Sequence, residues 1–342
     1  MPLSLPAFIR ALPKAELHVH IEGTLEPELV FRLAAKHGIQ MRYDSIAALR
    51  DAYHFHDLQS FLDIYYAGAN VLREAEDFHA MTSAYLEHAH ADGIVHTEIF
   101  FDPQAHTARG VPLAVVMEGI TRALREAQQK TGISIRLILC FLRHLPAREA
   151  MLTLEAALPW REHLTAVGLD SSELGHPPSK FATVFARARE LGLLTVAHAG
   201  EEGPPAYIEE ALDLLQVRRI DHGVRCLEDP ALVARLAQAR TPLTVCPLSN
   251  VRLRVFDSLA DHNLRILLEQ GVCVTVNSDD PAYFGGYLQE NFEAVAEALQ
   301  LSRGQLAQLA RNSIEAAFIE PQLKHSWYAK IDRLLAENGA AA

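Results

Sequence analysis

Apolar residues along the chain gather into eight short runs rich in leucine and β-branched side chains. The runs are 15–20 (AELHVH), 94–101 (IVHTEIFF), 133–142 (ISIRLILCFL), 164–170 (LTAVGLD), 193–198 (LLTVAH), 218–222 (RRIDH), 242–247 (PLTVCP) and 272–278 (VCVTVNS). Strands this nearly continuous in apolar residues belong to a sheet covered on both faces. Between them the apolar positions recur every three or four residues, the helical spacing. Residues 112–130 open on Pro112 and stop before Gly132, and 179–191 follow Ser179 as N-cap and stop at Gly192. Residues 205–216, 229–239 and 258–270 read the same way, the last ending at Gly271. Eight strands each followed by a helix predict an α/β fold, a (β/α)8 TIM-type barrel rather than an open doubly wound sheet. An open sheet usually carries a glycine-rich phosphate turn after its first strand. Neither G-x-G-x-x-G nor G-x-x-x-x-G-K-S/T occurs in this chain.

One gap is too long for a simple connection. Residues 21–93 carry helical patterns at 26–37, 57–73 and 77–91. In a barrel enzyme such an insertion either lies over the mouth as a lid or packs on the outer wall, and both readings stand at this point. Beyond 287 the pattern predicts further helices, with Ser302 capping 303–312, and a frayed GAAA end. No repeat, linker or low-complexity stretch divides the chain, so residues 1–342 are expected to form one barrel domain with a helical insertion over 21–93.

Composition narrows the function classes. The chain has 342 residues, 49% of them hydrophobic, which is enough for a large core. Its 31 Lys+Arg against 43 Asp+Glu give a net charge of −12. No basic run offsets it, so neither a nucleic-acid nor an anionic-membrane partner is expected. Cys140, Cys226, Cys246 and Cys273 form no C-x-x-C pair and read as reduced, buried thiols. The start MPLSLPAFIRALPK is interrupted by three prolines and has no long apolar core, unlike a signal peptide, and no apolar run is long enough to span a bilayer. A cytoplasmic protein is expected. Nothing marks an oligomeric interface.

In a barrel the chemistry sits at the C-terminal strand ends. Here strand one ends His18-Val19-His20, strand five His198-Ala199-Gly200-Glu201, strand six Asp221-His222-Gly223 and strand eight Asp279-Asp280-Pro281. Two residues apart on a strand places both imidazoles of His18 and His20 on one face, where one ion can reach both. His88 and His90 have the same spacing in a helical pattern, where it means about 200° of rotation, so they diverge. His54 and His56 lie in the insertion without a strand signal. Both pairs read as surface histidines. Three imidazoles and a carboxylate suit a borderline divalent ion, zinc first and Fe2+ as an alternative. The expected ligands are His18, His20, His198 and Asp279, although Asp279 also reads as a helix N-cap ahead of Pro281. Strand four ends Gly168-Leu169-Asp170 with no lysine before Lys180, so no modified lysine bridges a second metal and one ion is expected. A bound divalent cation brings water from pKa ~15.7 to ~7, about 12 kcal/mol of differential stabilisation. The site therefore reads as hydrolytic. Glu201 lies near the metal without ligating it, while His222 and Asp280 are placed to accept the water proton or orient the nucleophile.

These residues resemble a known family. His-Val-His, His-Ala-Gly-Glu, Asp-His-Gly and Ser-Asp-Asp-Pro, in this order after strands one, five, six and eight, are similar to the adenosine/adenine deaminase family of metal-dependent barrels. The similarity runs over essentially the whole chain. It implies a mononuclear zinc enzyme that hydrolyses the C6 amine of a 6-aminopurine. By motif position, His18, His20, His198 and Asp279 would hold the metal, and Glu201 would protonate purine N1. His222 would assist the attacking oxygen electrostatically or as a base. Asp280 would orient that oxygen, contact the purine and pass a proton to departing ammonia. Three segments resemble the adenine branch: Ser171-Ser172-Glu173 with Gly175-x-Pro177-Pro178-x-Lys180-Phe181, Glu201-Glu202-Gly203-Pro204, and His20-Ile21-Glu22-Gly23-Thr24. Nucleoside enzymes usually carry Asp at the position of Glu22, where it serves the ribose.

That branch implies conversion of adenine to hypoxanthine and ammonia, a purine-salvage step with a small purine base as the only partner. A free base keeps an N–H where the nucleoside carries its sugar, so its pocket needs a buried acceptor. Glu173 and Ser172 are expected at that edge, with Glu22 filling ribose volume. Glu173 also reads as a solvated loop carboxylate, and Glu22 as a helix-start residue. Adenosine and N6-substituted adenines remain rival substrates, because the metal centre meets only C6. A metal-binding barrel that has lost catalysis is the other rival, and the presence of Glu201, His222 and Asp280 argues against it.

Overall fold

The computed structural model describes residues 3–338; the GAAA end, 339–342, expected to fray, lies outside them. Eight strands form one sheet in sequence order: β1 Lys14–His20, β2 Ile94–Phe101, β3 Ser134–Leu142, β4 Leu164–Asp170, β5 Leu194–Ala199, β6 Arg219–His222, β7 Leu243–Val245 and β8 Val274–Val276. Every sequential pair is parallel. The sheet closes where the chain past β8 returns to β1. The His20 N–H donates to the Asp279 carbonyl (2.9 Å), and the Asp279 N–H donates to the His18 carbonyl (3.0 Å). One step lower, the side-chain oxygen of Asn277 accepts the Leu17 N–H at 2.9 Å in place of a backbone carbonyl. The expected TIM-type barrel is therefore observed.

The last two strands are shorter than their apolar runs. Pro242 and Pro247 flank β7, and Pro247 opens the helix Pro247–Arg252. A proline offers no N–H to a ladder. After β8, Asn277 pairs through its side chain and Asp279 turns into the left-handed region (φ 65°). Phe100, Ile138, Cys140, Ala166 and Val196 fill the barrel interior. The N-terminal end is sealed by charge and by the C-terminal segment. Arg219 donates to Glu98 (2.8 Å), which also faces His96 (3.0 Å) and accepts the Phe318 N–H. The Arg219 guanidinium lies 4.6 Å from the Phe318 ring centroid. The mouth that remains is the C-terminal one.

The insertion does both jobs foreseen for it, one in each half. Helix Leu58–Ala69, started by a capping box between Asp57 and Ser60, turns Leu58, Phe61, Leu62, Tyr65 and Tyr66 towards the mouth. Helix Ala75–Ala91 packs on the wall helix Leu113–Thr131, where Gly119 lets the two backbones approach. A six-residue helix, Ile46–Asp51, is too short to show a period and was not expected. Among the expected helices, 179–191 starts later: Ser179 sits inside a 3-10 turn (Pro178–Phe181) ahead of helix Ala182–Glu190, so it is not the N-cap. The 258–270 pattern splits into Leu259–Asp261 and Leu264–Glu269, because the His262 ring takes the Leu264 N–H. Ser302 caps Arg303–Ala316 as expected. All four cysteines are free and buried. No helix among the described residues is long and apolar enough to cross a membrane.

Gly119 supplies a test of the wall packing. A Cβ there would lie 2.3 Å from the Ala75 carbonyl oxygen and 2.6 Å from the Phe78 Cβ. Helix propensity alone favours alanine over glycine by about 1 kcal/mol. Overpacking against backbone costs about 1–3 kcal/mol. Gly119→Ala should therefore lower the urea midpoint of unfolding; a raised midpoint would mean that the helices stand further apart.

Candidate active site

Strand alternation brings His18 and His20 to one face of β1, and the seam with β8 sets Asp279 beside them. β5 delivers His198 and β6 delivers His222. All of these side chains are buried. The His18 Nε2 lies 3.2 Å from Asp279 Oδ1, the His20 Nε2 3.4 Å from the same oxygen, and 3.2 Å from the His198 Nε2. Ligands about 2.0–2.1 Å from a tetrahedral zinc-type ion stand about 3.3 Å from one another. These three spacings match that figure. Among the described residues, the four-residue group whose donor atoms all lie within 4.8 Å of one another is His18, His198, His222 and Asp279, with His20 joined to it through Asp279 and His198. His222 lies close by, its Nε2 3.8 Å from Asp279 Oδ2 and 3.6 Å from Glu201 Oε2.

The far sides of the rings show which nitrogens are bare. Thr244 Oγ1 donates to Asp221 (2.8 Å), so it accepts from the His18 Nδ1 (2.9 Å). That leaves the His18 Nε2 as a buried lone pair without a hydrogen-bond partner. Carboxylates also face the outer nitrogens of His20 (Asp170, 3.6 Å) and His198 (Asp221, 3.6 Å). Such partners orient a metal-ligating imidazole and fix its tautomer. The buried imidazoles and the Asp279 carboxylate form a cluster that could hold a metal ion.

Charge is distributed unevenly around this cluster. Burial and the neighbouring Asp279 hold the Glu201 carboxyl well above the usual carboxylate range. Asp279 is held well below its usual value against the cost of burial, chiefly by His18. Burial and then His18 push His222 down to about 3, which keeps its ring neutral. Asp280 is raised well above its usual value by burial and by Asp279. Asp280 reaches the mouth because residue 23 is glycine: a Cβ on Gly23 would fall 1.9 Å from Asp280 Oδ1. His222 and Asp279 both adopt left-handed backbone (φ 64° and 65°). Such conformations in residues other than glycine concentrate at working sites.

A cavity of about 30 Å³ lies between this cluster and helix Leu58–Ala69. Its floor holds His20, His198, Glu201, His222, Asp279 and Asp280, and its walls include Leu58, Phe61, Tyr65, Leu253 and Phe284. Three expected substrate contacts lie elsewhere. Glu173 does not line the cavity. Its carboxylate accepts four backbone N–H groups, from Gly200 (2.7 Å), Glu201 (3.1 Å), Glu202 (2.8 Å) and Gly203 (2.7 Å), and so shapes the loop that carries Glu201. Its Oε1 takes the Gly200 N–H and its Oε2 the other three. Ser172 does not line the cavity either; its neighbour Ser171 does, bonded to Tyr66 (3.0 Å) and His144 (2.8 Å). Glu22 is buried beneath the mouth, taking the His106 Nε2 (2.7 Å) and the Asp102 N–H (3.2 Å).

The residues missed in the sequence are Asp102, Asp170, Ser171 and the aromatic side of helix Leu58–Ala69. Asp102 has a readable signal: β2 ends Phe-Phe-Asp-Pro, the same carboxylate-then-proline ending as Asp279-Asp280-Pro281. Asp102 Oδ1 and both oxygens of Asp170 are buried without hydrogen-bond partners. Tyr65 reaches the other oxygen of Asp102 at 3.4 Å. His54, His56, His88 and His90 are exposed and distant from the cluster, as expected.

Comparison with known proteins agrees with this arrangement. Residues 13–334 match the family model described as adenosine deaminase. The chain is 62% identical over 324 residues to an adenine deaminase of Paraburkholderia xenovorans, covering 94% of this chain and 92% of that one. A crystal structure of adenine deaminase from Arthrobacter aurescens superposes with a TM-score of 0.94 at 51% identity, covering 95% of this chain and 99% of that chain. An amidohydrolase from Burkholderia ambifaria, solved with bound zinc, superposes with a TM-score of 0.89 at 28% identity, covering 99% and 96%. The chain belongs to the adenosine deaminase family.

Removal of one ligand tests the metal centre without an activity assay. His18→Ala should reduce tightly bound metal from about one ion per chain to near zero, measured by elemental analysis after gel filtration. Stoichiometric metal in that variant would contradict the assignment.

Proposed function

We propose that this protein is a zinc-dependent hydrolase that converts adenine and water to hypoxanthine and ammonia. The observation that carries the reading is the meeting, in one cavity, of the histidine–aspartate cluster and Glu201 with the unpartnered buried oxygens of Asp102 and Asp170. A free base offers a ring N–H to such acceptors, whereas a riboside carries carbon there and leaves them unpaired, at about 1–3 kcal/mol each. The names of the relatives support the same substrate.

His18, His20, His198 and Asp279 would hold a zinc ion, which would supply a water acidified towards neutrality. The chain's own residues do the rest. Glu201 gives its proton to purine N1, which draws electrons from C6. Asp280 takes a proton from the attacking water as the O–C6 bond forms, then gives it to the C6 amine. The C6–N bond breaks, ammonia leaves, and the proton of the C6 hydroxyl returns to Glu201 as the carbonyl forms. His222 lies beside the attacking oxygen. The aromatic and leucine walls hold the ring plane and exclude bulk water. In this reading the enzyme is cytoplasmic, with a role in purine salvage.

Ammonia release from adenine, adenosine and N6-methyladenine by zinc-loaded protein tests the substrate. The reading expects kcat/KM for adenine at least about 100-fold above adenosine. Adenosine turned over faster, or no turnover with metal bound, would overturn it. Glu201→Gln tests the proton donor. It should retain the metal and lose about 100- to 10,000-fold in kcat. The raised Glu201 pKa also gives the sign of the pH dependence: activity is lost as pH rises through that pKa, because the donor proton is then gone.

A further inference from the structure

Behind His222 stands a short chain of buried groups that the deamination chemistry does not use. The His222 Nδ1 lies 3.3 Å from the Asn250 side-chain nitrogen. The Asn250 side-chain oxygen lies 3.2 Å from the His262 Nε2. The His262 Nδ1 receives the backbone N–H of Leu264 at 3.0 Å. Asn250 and His262 are both buried, and they sit on the helix after β7 and in the turn before helix Leu264–Glu269.

The direction of every proton in this chain follows from its last member. A backbone N–H is always a donor, so the His262 Nδ1 must be bare. An uncharged imidazole carries one proton, so that of His262 is on Nε2. A second proton on Nδ1 would face the Leu264 N–H donor to donor, and burial, which pushes His262 down to about 3, keeps it off. The His262 Nε2–H then donates to the Asn250 oxygen, which fixes the amide orientation. The opposite flip would require His262 to accept at both nitrogens. The Asn250 N–H therefore points at the His222 Nδ1, which must be bare in turn.

We infer that Asn250 and His262 are positioning residues that lock His222 as its Nε2–H tautomer, so that His222 meets the attacking oxygen as a hydrogen-bond donor. His222 then exchanges no proton in the reaction. It orients the water and stabilises charge on the oxygen as the O–C6 bond forms, and the water proton goes to Asp280. This settles which of the two roles, donor or base, the ring performs. The catalytic consequence rests on the deaminase reading above, whereas the tautomer does not.

Nitrogen-15 correlation spectra of zinc-loaded protein labelled at histidine test it, because protonated and bare ring nitrogens resonate far apart. His222→Gln assigns the relevant signals by their disappearance. The expected parent spectrum shows His222 protonated at Nε2 only. His262→Gln, which offers the same acceptor and donor, should keep that single tautomer. Asn250→Leu should leave His222 in two tautomers and lower kcat for adenine about 10- to 100-fold, with KM changed less than about threefold. A parent ring protonated at Nδ1 would overturn the inference. So would an Asn250→Leu protein with an unchanged spectrum and kcat. If that variant fails to fold, the parent spectrum decides alone. Absence of adenine turnover in the parent would overturn the proposed function while leaving the tautomer to the nitrogen shifts.

Discussion

Two backbone hydrogen bonds join the end of the barrel to its beginning, His20 N–H to the Asp279 carbonyl and Asp279 N–H to the His18 carbonyl. This seam is where the sheet closes and also where three of the four expected metal ligands meet. The dependence runs both ways. Strand alternation would aim His18 and His20 at a common point in any sheet, but only closure brings a carboxylate from residue 279 to that point. A barrel that failed to close would have two imidazoles and no Asp279. The left-handed backbone at Asp279 belongs to the same constraint, because it turns the chain out of the ladder just after the pairing and leaves Asp280 over the mouth.

The second organising fact is the scarcity of positive charge. Glu22, Asp102, Asp170, Glu173, Glu201, Asp221, Asp279 and Asp280 are all buried around the mouth. An isolated buried carboxylate costs several kcal/mol, so each needs a compensating group or a proton. Glu173 has four backbone N–H groups, Asp221 has Thr244, and Glu22 has His106. Arg143, a buried cation, donates to the His198 and His176 carbonyls and leaves its Nη2 without a hydrogen-bond partner. Asp279 has only imidazoles beside it. Glu201 meets the same cost of burial, and its carboxyl is raised for that reason.

The strand ends were the legible part of the sequence. A titratable group closing an apolar run is exceptional enough to read locally, and alternation by two places His18 and His20 without any tertiary information. The cavity walls were not legible, because the face that helix Leu58–Ala69 turns inward depends on how the insertion settles across the mouth. Glu173 and Glu22 mark a different limit. A carboxylate in a loop looks the same in sequence whether it meets a ligand or the backbone, and here four N–H groups of the β5 loop claimed Glu173. Asp102 was readable by its likeness to the β8 ending and was passed over because its neighbours are apolar. The direction of the Asn250–His262 chain is invisible in sequence, since it hinges on one backbone N–H.

The central claim is convergence of four named atoms on one ion, and anomalous diffraction from crystals of zinc-loaded protein measures it most directly. The account predicts a single peak in the barrel mouth about 2.0–2.1 Å from the Nε2 atoms of His18, His20 and His198 and from an Asp279 carboxylate oxygen. A peak held by other residues, or an ordered His18 and Asp279 with no ion between them, would contradict it.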